Sequence, residues 1–206
     1  MISVATVGIS YNIPVLRIIA GTARGRKLLS LPKDSGVKPI SGRIKQSLFD
    51  ILRPKVPSSR FLDLYAGTGA VGMEALSRGA EKVVFVELDK RCVEVIEKNL
   101  ERSGWAVRGK VFRANALSAL TWVPFRSGVQ KFDLVFMGPP YRDREERPLF
   151  YCKQTLQNVA SAGILEESGW IVAQHHFREE APAPEGFVKF RETRYGDSWL
   201  NFFKRA

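Results

Sequence analysis

The sequence predicts a doubly wound α/β fold built on a mostly parallel sheet, and three observations carry that expectation. Short β-prone apolar runs alternate along the chain with stretches of helical periodicity. One of them, Lys82 to Glu87 (KVVFVE), is apolar without alternation, the pattern of a parallel strand covered on both faces. An earlier run, Phe61 to Tyr65, flows into Ala66-Gly67-Thr68-Gly69-Ala70-Val71-Gly72 and then a helix, the strand–turn–helix arrangement of a nucleotide-type pocket.

The chain has 206 residues, 45% of them hydrophobic, enough for one full core with a small appendage. No apolar run approaches the length of a membrane span. Cys92 and Cys152 stand far apart with no Cys/His partner spacing, which argues against zinc and against a disulfide framework, and suits a reducing, cytoplasmic setting. The net charge of +11 is unevenly placed: residues 1–55 hold ten Lys/Arg against Asp34 and Asp50. A basic front of this kind points to a polyanion, most simply nucleic acid, or else to a solvated basic face.

Residues 1–14 carry no charge and lack the basic start and cleavage site of a secretory signal, so a disordered extension is expected there. Residues 15–55 form a basic N-terminal extension in this reading. Val15 to Ser30 (VLRIIAGTARGRKLLS) predicts a small hairpin whose loop presents Arg24, Arg26 and Lys27, suited to phosphate oxygens. After a Pro/Gly linker, Ser41 caps a helix to about Leu52, with Ile44, Leu48, Ile51 and Leu52 on its apolar face and Arg43, Lys45 and Gln46 off it.

Residues 56–206 then form the ligand-binding domain. A helix follows the glycine turn over Met73 to Arg78, and Asp89 caps another that ends at Gly104 with Cys92, Val93, Ile96 and Leu100 inward. Further strands are expected at Lys110 to Arg113, Phe132 to Met137 and Trp170 to Gln174, with helices near Ala116 to Trp122 and Leu149 to Ala160. A last hairpin, Val188 to Tyr195 and Trp199 to Lys204, turns at Gly196-Asp197.

If the strands ending at Leu64, Glu87 and Met137 are neighbours, their following loops share one rim of the sheet. Gly67 and Gly69 let backbone approach a ligand, Glu87 is placed to take ribose hydroxyls, and Asn115 offers an amide oxygen to an adenine amino group or caps a helix. Ala66, Leu88 and Ala116 line the same expected pocket. Both NAD and S-adenosylmethionine suit these residues. Asp63, just before the turn, favours S-adenosyl-L-methionine, because a carboxylate there suits an ammonium and opposes a pyrophosphate; a turn-capping role for Asp63 is the alternative.

The strand from Phe132 ends in Gly138-Pro139-Pro140-Tyr141. Here the chain resembles the amino-directed methyltransferases with an Asp/Asn-Pro-Pro-Tyr/Phe motif, and among them the bacterial enzymes that methylate N2 of a guanine in small-subunit (16S) ribosomal RNA. RIIAGTARGRKL, KPISGRIKQSLFDIL, LDLYAGTGAVGMEALSRGA, VVFVELD and RYGDSWLNFF extend the resemblance from about Arg17 to Phe203. It implies a seven-stranded class I methyltransferase fold, S-adenosyl-L-methionine as donor, ribosomal RNA or the assembling small subunit as partner, and no metal; a monomer is expected. Ser41 and Arg43 become candidate partners for the cofactor's carboxylate. In such a site a side-chain oxygen and a backbone carbonyl accept the hydrogens of a poorly nucleophilic guanine amine, prolines stiffen the loop, and the aromatic ring stacks on the base.

This chain departs from that pattern at Gly138, which has no side-chain acceptor; losing one well-placed group costs on the order of 10²- to 10³-fold in rate. The expected activity is guanine-N2 methylation at Gly138, Pro139, Pro140 and Tyr141, with three readings open: a slow enzyme, an enzyme whose acceptor comes from elsewhere, or a catalytically weakened protein that binds cofactor and RNA. An NAD oxidoreductase fits poorly. His175 and His176 are expected as surface structural residues rather than general bases, and Trp170, Trp199, Phe202 and Phe203 as core. Arg142, Arg144 and Arg147 belong to a mixed-charge loop that is either a lid or solvated.

Overall fold

Strands that are apolar on both faces need cover on both, and the chain supplies it as helices above and below one sheet. The computed structural model describes residues 16–143 and 145–206; the expected extension over 1–14, Val15 and Arg144 lie outside them. The chain opens with a two-stranded antiparallel hairpin, β1 (Leu16–Arg17) and β2 (Lys27–Leu28), followed by a 3₁₀ turn at Lys33–Ser35 and helix α1 (Gly42–Leu52). Ser41 caps α1, its Oγ accepting from the Ile44 amide at 3.2 Å.

The main elements then alternate: β3 (Arg60–Leu64), α2 (Ala70–Ser77), β4 (Lys82–Glu87), α3 (Lys90–Ser103), β5 (Gly109–Arg113), α4 (Trp122–Ser127), β6 (Phe132–Met137), α5 (Cys152–Ser161) and β7 (Leu165–His176). The antiparallel pair β8 (Phe187–Tyr195) and β9 (Ser198–Arg205) closes the sheet. The seven strands lie in the order β5-β4-β3-β6-β7-β9-β8, parallel from β5 to β7. This is the class I Rossmann-like arrangement.

Alternate residues of the central strands feed two cores. Phe61, Val83, Phe85, Leu134 and Phe136 pack with α1, α2 and α3; Leu62, Leu64, Val84, Val86, Val135 and Met137 pack with α4 and α5. Hairpin residues Leu16, Ile18 and Leu28 belong to the first of these cores, so the basic front is seated on the sheet domain.

Three expectations change. The helix expected near Ala116 to Trp122 is a turn, and α4 begins at Trp122, which puts Pro124 in the first helical turn where its missing N–H costs nothing. The strand expected at Trp170 to Gln174 extends to Leu165–His176, across a register shift opposite Phe132 and Leu134.

Lys45, placed off the apolar stripe of α1, is buried, as is Phe49. Its ammonium lies 3.1 Å from Glu74 Oε2 and donates to the Arg17 carbonyl at 2.7 Å. Glu74 also accepts from the Ile19 and Ala20 amides and from Arg78 Nε. Burial pushes the Lys45 pKa down against the pull of Glu74. One buried carboxylate therefore ties the hairpin, α1 and α2 together.

Candidate functional site

The parallel register aligns the strand ends that matter. Leu64 pairs with Val86 on one side and Met137 on the other, and Glu87 pairs with Arg113. The loops after β3, β4, β5 and β6 thus open on one edge of the sheet, where doubly wound folds bind their ligands.

The turn after β3 is held in an unusual backbone path. Tyr65, Gly67 and Gly69 have φ of 58°, 54° and 84°, and the Tyr65 hydroxyl is fixed by Thr155 Oγ1 at 2.6 Å. Gly72 stands where α2 crosses β4: a Cβ there would lie 2.2 Å from Phe85 Cε1. Asp63 is buried, and its Oδ2 accepts from the Gly72 amide at 2.8 Å, capping α2 from the strand below. Its Oδ1 has no partner among the described residues. Burial, with Glu87 nearby, pushes the Asp63 carboxyl up to about 7 although the Gly72 amide pulls it down.

Glu87 braces the neighbouring loop. Its Oε2 accepts from the Gly67 amide at 2.7 Å, and Oε1 from the amides of Leu88 and Asp89 at 2.7 and 2.8 Å. Three donors on a carboxylate with about four acceptor positions leave room for a further hydroxyl. Leu88 beside it is 58% exposed, an apolar surface at the pocket rim. Ala66 and Ala116 are buried; Asn115 is exposed at the end of β5, its Oδ1 accepting from the Leu117 amide at 3.0 Å, so it closes its own turn rather than capping a helix. Val37 of the linker comes within 3.8 Å of the position a Gly67 Cβ would take. Arg43 is exposed in the first turn of α1, and Ser41 is used as that helix's cap.

Gly138 follows directly on β6, its amide 3.4 Å from the Leu64 carbonyl. Pro139 is buried and Pro140 exposed. Tyr141 is locked by its hydroxyl, which donates to Ser198 Oγ and accepts from Gln174 Nε2, each at 3.0 Å, while its ring meets His176 edge-on with centroids 5.6 Å apart. The loop that follows is laced to itself: Asp143 accepts from the Glu145 and Arg147 amides, Arg147 pairs with Asp143, and Leu149 N–H donates to the Tyr141 carbonyl.

His175, expected at the surface, is buried, with Nε2 3.0 Å from Asn201 Nδ2. Burial pushes its pKa down. Phe202 and Phe203 are core, whereas Trp170 and Trp199 are half-buried. Cys92 and Cys152 are free, buried thiols whose pKa values burial pushes up.

Arg24, Arg26 and Lys27 are all exposed on the hairpin, with Arg26 also donating to the Arg102 carbonyl at 3.0 Å. The hairpin leads into Leu29, which is clamped to α3 by Asn99 through a donor and an acceptor at 3.0 and 2.8 Å. Sequence periodicity gave no notice of Asn99, Glu74 or Gln174. Only Gln174 had a readable trace: a polar residue at the end of an apolar strand beside the Pro-Pro strand.

These residues fit S-adenosylmethionine. Gly67 and Gly69 carry the turn through positive φ, an acceptor position remains on Glu87, and a buried carboxylate with an orphan oxygen lies beneath the turn, where a pyrophosphate would be repelled. Among the described residues no helix is long and apolar enough to cross a membrane.

The chain matches the family described as Conserved hypothetical protein 95 over residues 16–204. The ribosomal RNA small subunit methyltransferase D of Haemophilus influenzae is 40% identical over 183 residues, covering 88% of this chain and 89% of its own. The Escherichia coli K12 protein of the same name is 33% identical over 171 residues, covering 83% and 77%. Among solved structures, a hypothetical protein of Thermus thermophilus superposes with a TM-score of 0.73 at 29% identity, covering 93% of this chain and all of its own. The Escherichia coli chain yhhF gives a TM-score of 0.73 at 28% identity, covering 92% and 97%. This chain therefore belongs to the Conserved hypothetical protein 95 family, with the small-subunit ribosomal RNA methyltransferases D, a family of class I, S-adenosylmethionine-dependent methyltransferases.

Proposed function

We propose that this chain methylates the exocyclic N2 amine of a guanine in small-subunit ribosomal RNA, in the cytoplasm, either on the RNA or on the assembling particle. The observation that carries the proposal is the meeting of the glycine turn and the Pro-Pro loop: Leu64 and Met137 are paired residues, so both loops leave the sheet side by side.

Glu87 and Leu88 take the ribose and adenine ends of the cofactor in this reading, with Ala66, Asn115 and Ala116 along the adenosine pocket. Gly67 and Gly69 admit its chain, and Asp63 and Arg43 answer its ammonium and carboxylate. When bound, S-adenosylmethionine supplies a methyl carbon that the amine nitrogen attacks as the carbon–sulfur bond breaks, with that bond's electron pair staying on sulfur and the amine's lost proton passing to solvent.

The protein's own part is orientation. The Gly138 backbone, stiffened by Pro139 and Pro140, holds a carbonyl towards the amine, and Tyr141 offers a ring already fixed by two hydrogen bonds. The target base leaves its stack to enter, at lower cost from a loop than from a helix. Arg24, Arg26 and Lys27, together with the rest of the basic front over 15–55, grip phosphates.

Calorimetry with S-adenosylhomocysteine, and mass-spectrometric mapping of methylated guanines in 16S RNA with and without the protein, test the proposal. Saturable binding and one new N2-methylguanine are expected; no binding at millimolar ligand, or an unchanged guanine map, overturns it. Gly138 favours one other reading, a protein that binds cofactor and RNA with little transfer, and the same map separates the two.

A further inference from the structure

Gly138 removes a side-chain acceptor from the place where the reaction needs one, and the neighbouring strand puts another there. Met137 pairs with Ala173 across β6 and β7, so the next residue on β7, Gln174, lies beside Gly138. A Cβ built on Gly138 would lie 3.9 Å from Gln174 Oε1. The Gln174 amide is oriented: Nε2 donates to the Tyr141 hydroxyl, which itself donates to Ser198 Oγ. That arrangement turns Oε1 towards Gly138, and Oε1 has no hydrogen-bond partner among the described residues. A Cβ at 138 stands in ordinary van der Waals range of that oxygen, so an acceptor carried on position 138 and the Gln174 amide oxygen share one neighbourhood.

We infer that Gln174 supplies the second acceptor for the target amine, so that its amide oxygen and the Gly138 backbone carbonyl together hold the two N–H hydrogens and aim the nitrogen's lone pair. This rests on the guanine-N2 reading given above. The amide oxygen is a hydrogen-bond acceptor only: it takes no proton, and the proton lost on methylation passes to solvent. In this chain the acceptor has moved from the Pro-Pro loop to the adjacent strand, and Tyr141 has gained a second task, holding that acceptor's orientation.

The test uses the full chain with labelled S-adenosylmethionine and 16S RNA or small subunits as substrate, comparing wild type, Gln174→Leu, Tyr141→Phe and Gln174→Leu/Gly138→Asp. Gln174→Leu is expected to lower kcat about 10²- to 10³-fold, as for loss of one placed polar group. Its KM for the methyl donor and its calorimetric Kd for S-adenosylhomocysteine are expected to stay within about twofold, since the pocket of Glu87 and Asp63 is untouched. Tyr141→Phe frees the amide but keeps the oxygen and is expected to cost less. Adding Gly138→Asp to Gln174→Leu is expected to restore kcat at least tenfold, because an acceptor returns to the vacated space; the Phe136 ring, 3.3 Å from the new Cβ, must shift slightly.

Gln174→Leu with wild-type kcat overturns the inference while leaving the guanine-N2 reading intact. Equal losses in Gln174→Leu and Tyr141→Phe, with no rescue by Gly138→Asp, also overturn it, showing that Gln174 serves only to hold Tyr141. A wild-type chain that binds S-adenosylhomocysteine but transfers no methyl group to either substrate overturns the reading and the inference together.

Discussion

Replacing Asp63 by asparagine separates a carboxylate that merely holds the glycine turn from one that also receives a ligand. Asparagine is isosteric: its oxygen can accept from the Gly72 amide as Oδ2 does now, and its nitrogen takes the place of the unpartnered Oδ1. In the folded wild type burial raises the carboxyl from 3.8 to about 7. At about 1.4 kcal/mol per pH unit, ionising it costs the folded chain roughly 4 kcal/mol relative to the unfolded one. An unpaired buried amide in the variant takes back about 1 to 3 kcal/mol, so Asp63→Asn is expected to be about 1 to 3 kcal/mol more stable than wild type at pH 8.

The sign follows from the raised pKa. Below about pH 4 the group is protonated in both states and contributes no penalty; between about 4 and 7 wild-type stability falls as pH rises, and above 7 the loss is complete. Denaturant unfolding of both proteins from pH 4 to 8 reads this directly, and a difference that does not change with pH refutes the ionisation argument. With Asp63 receiving the ligand's ammonium as proposed, the same variant is expected to bind S-adenosylhomocysteine about 10- to 100-fold more weakly at pH 8, because that charge-assisted hydrogen bond is lost. Greater stability with weaker binding is a combination a purely structural carboxylate cannot produce; unchanged affinity in calorimetry removes Asp63 from the ligand site.

Three further perturbations test the scaffold and the basic front. Gly72→Ala places a methyl 2.2 Å from Phe85 Cε1 and 2.8 Å from Val83 Cγ1, so an overpacking loss of about 1–3 kcal/mol is expected in the denaturant midpoint; a midpoint equal to wild type contradicts the close α2–β4 packing. Lys45→Met leaves Glu74 buried without its ammonium partner, and a loss of about 3–5 kcal/mol is expected; a loss below about 1 kcal/mol shows that Ile19, Ala20 and Arg78 suffice for that carboxylate. The double variant Arg24→Ala/Lys27→Ala is expected to reduce the log–log salt slope of RNA binding by about 1.4 to 1.8. Its S-adenosylhomocysteine affinity should not change, and an unaltered salt slope takes the hairpin out of the RNA interface.

Much of this molecule was legible residue by residue, wherever a local rule acts alone. Ser41, Asp89 and Gly104 bound their helices as capping chemistry requires. The strands at Lys82–Glu87 and Phe132–Met137 begin and end where their apolar runs do. The helix near Ala116 was misplaced because two local preferences compete there: the Asn115 turn and the position that Pro124 tolerates.

Backbone sterics, apolar periodicity and side-chain chemistry are properties of the chain before it folds, and they sufficed for the fold class, the glycine turn with its carboxylates, and the missing side chain at Gly138. Folding alone made Lys45 an interior residue, tied the hairpin to the helices through Glu74, and set Gln174 beside Gly138. Lys45 and Glu74 lie 29 positions apart, and Gly138 and Gln174 lie 36 apart. Strand order and register set the second pairing and the packing of α1 against α2 the first; both arise from assembling the whole domain and have no local signature.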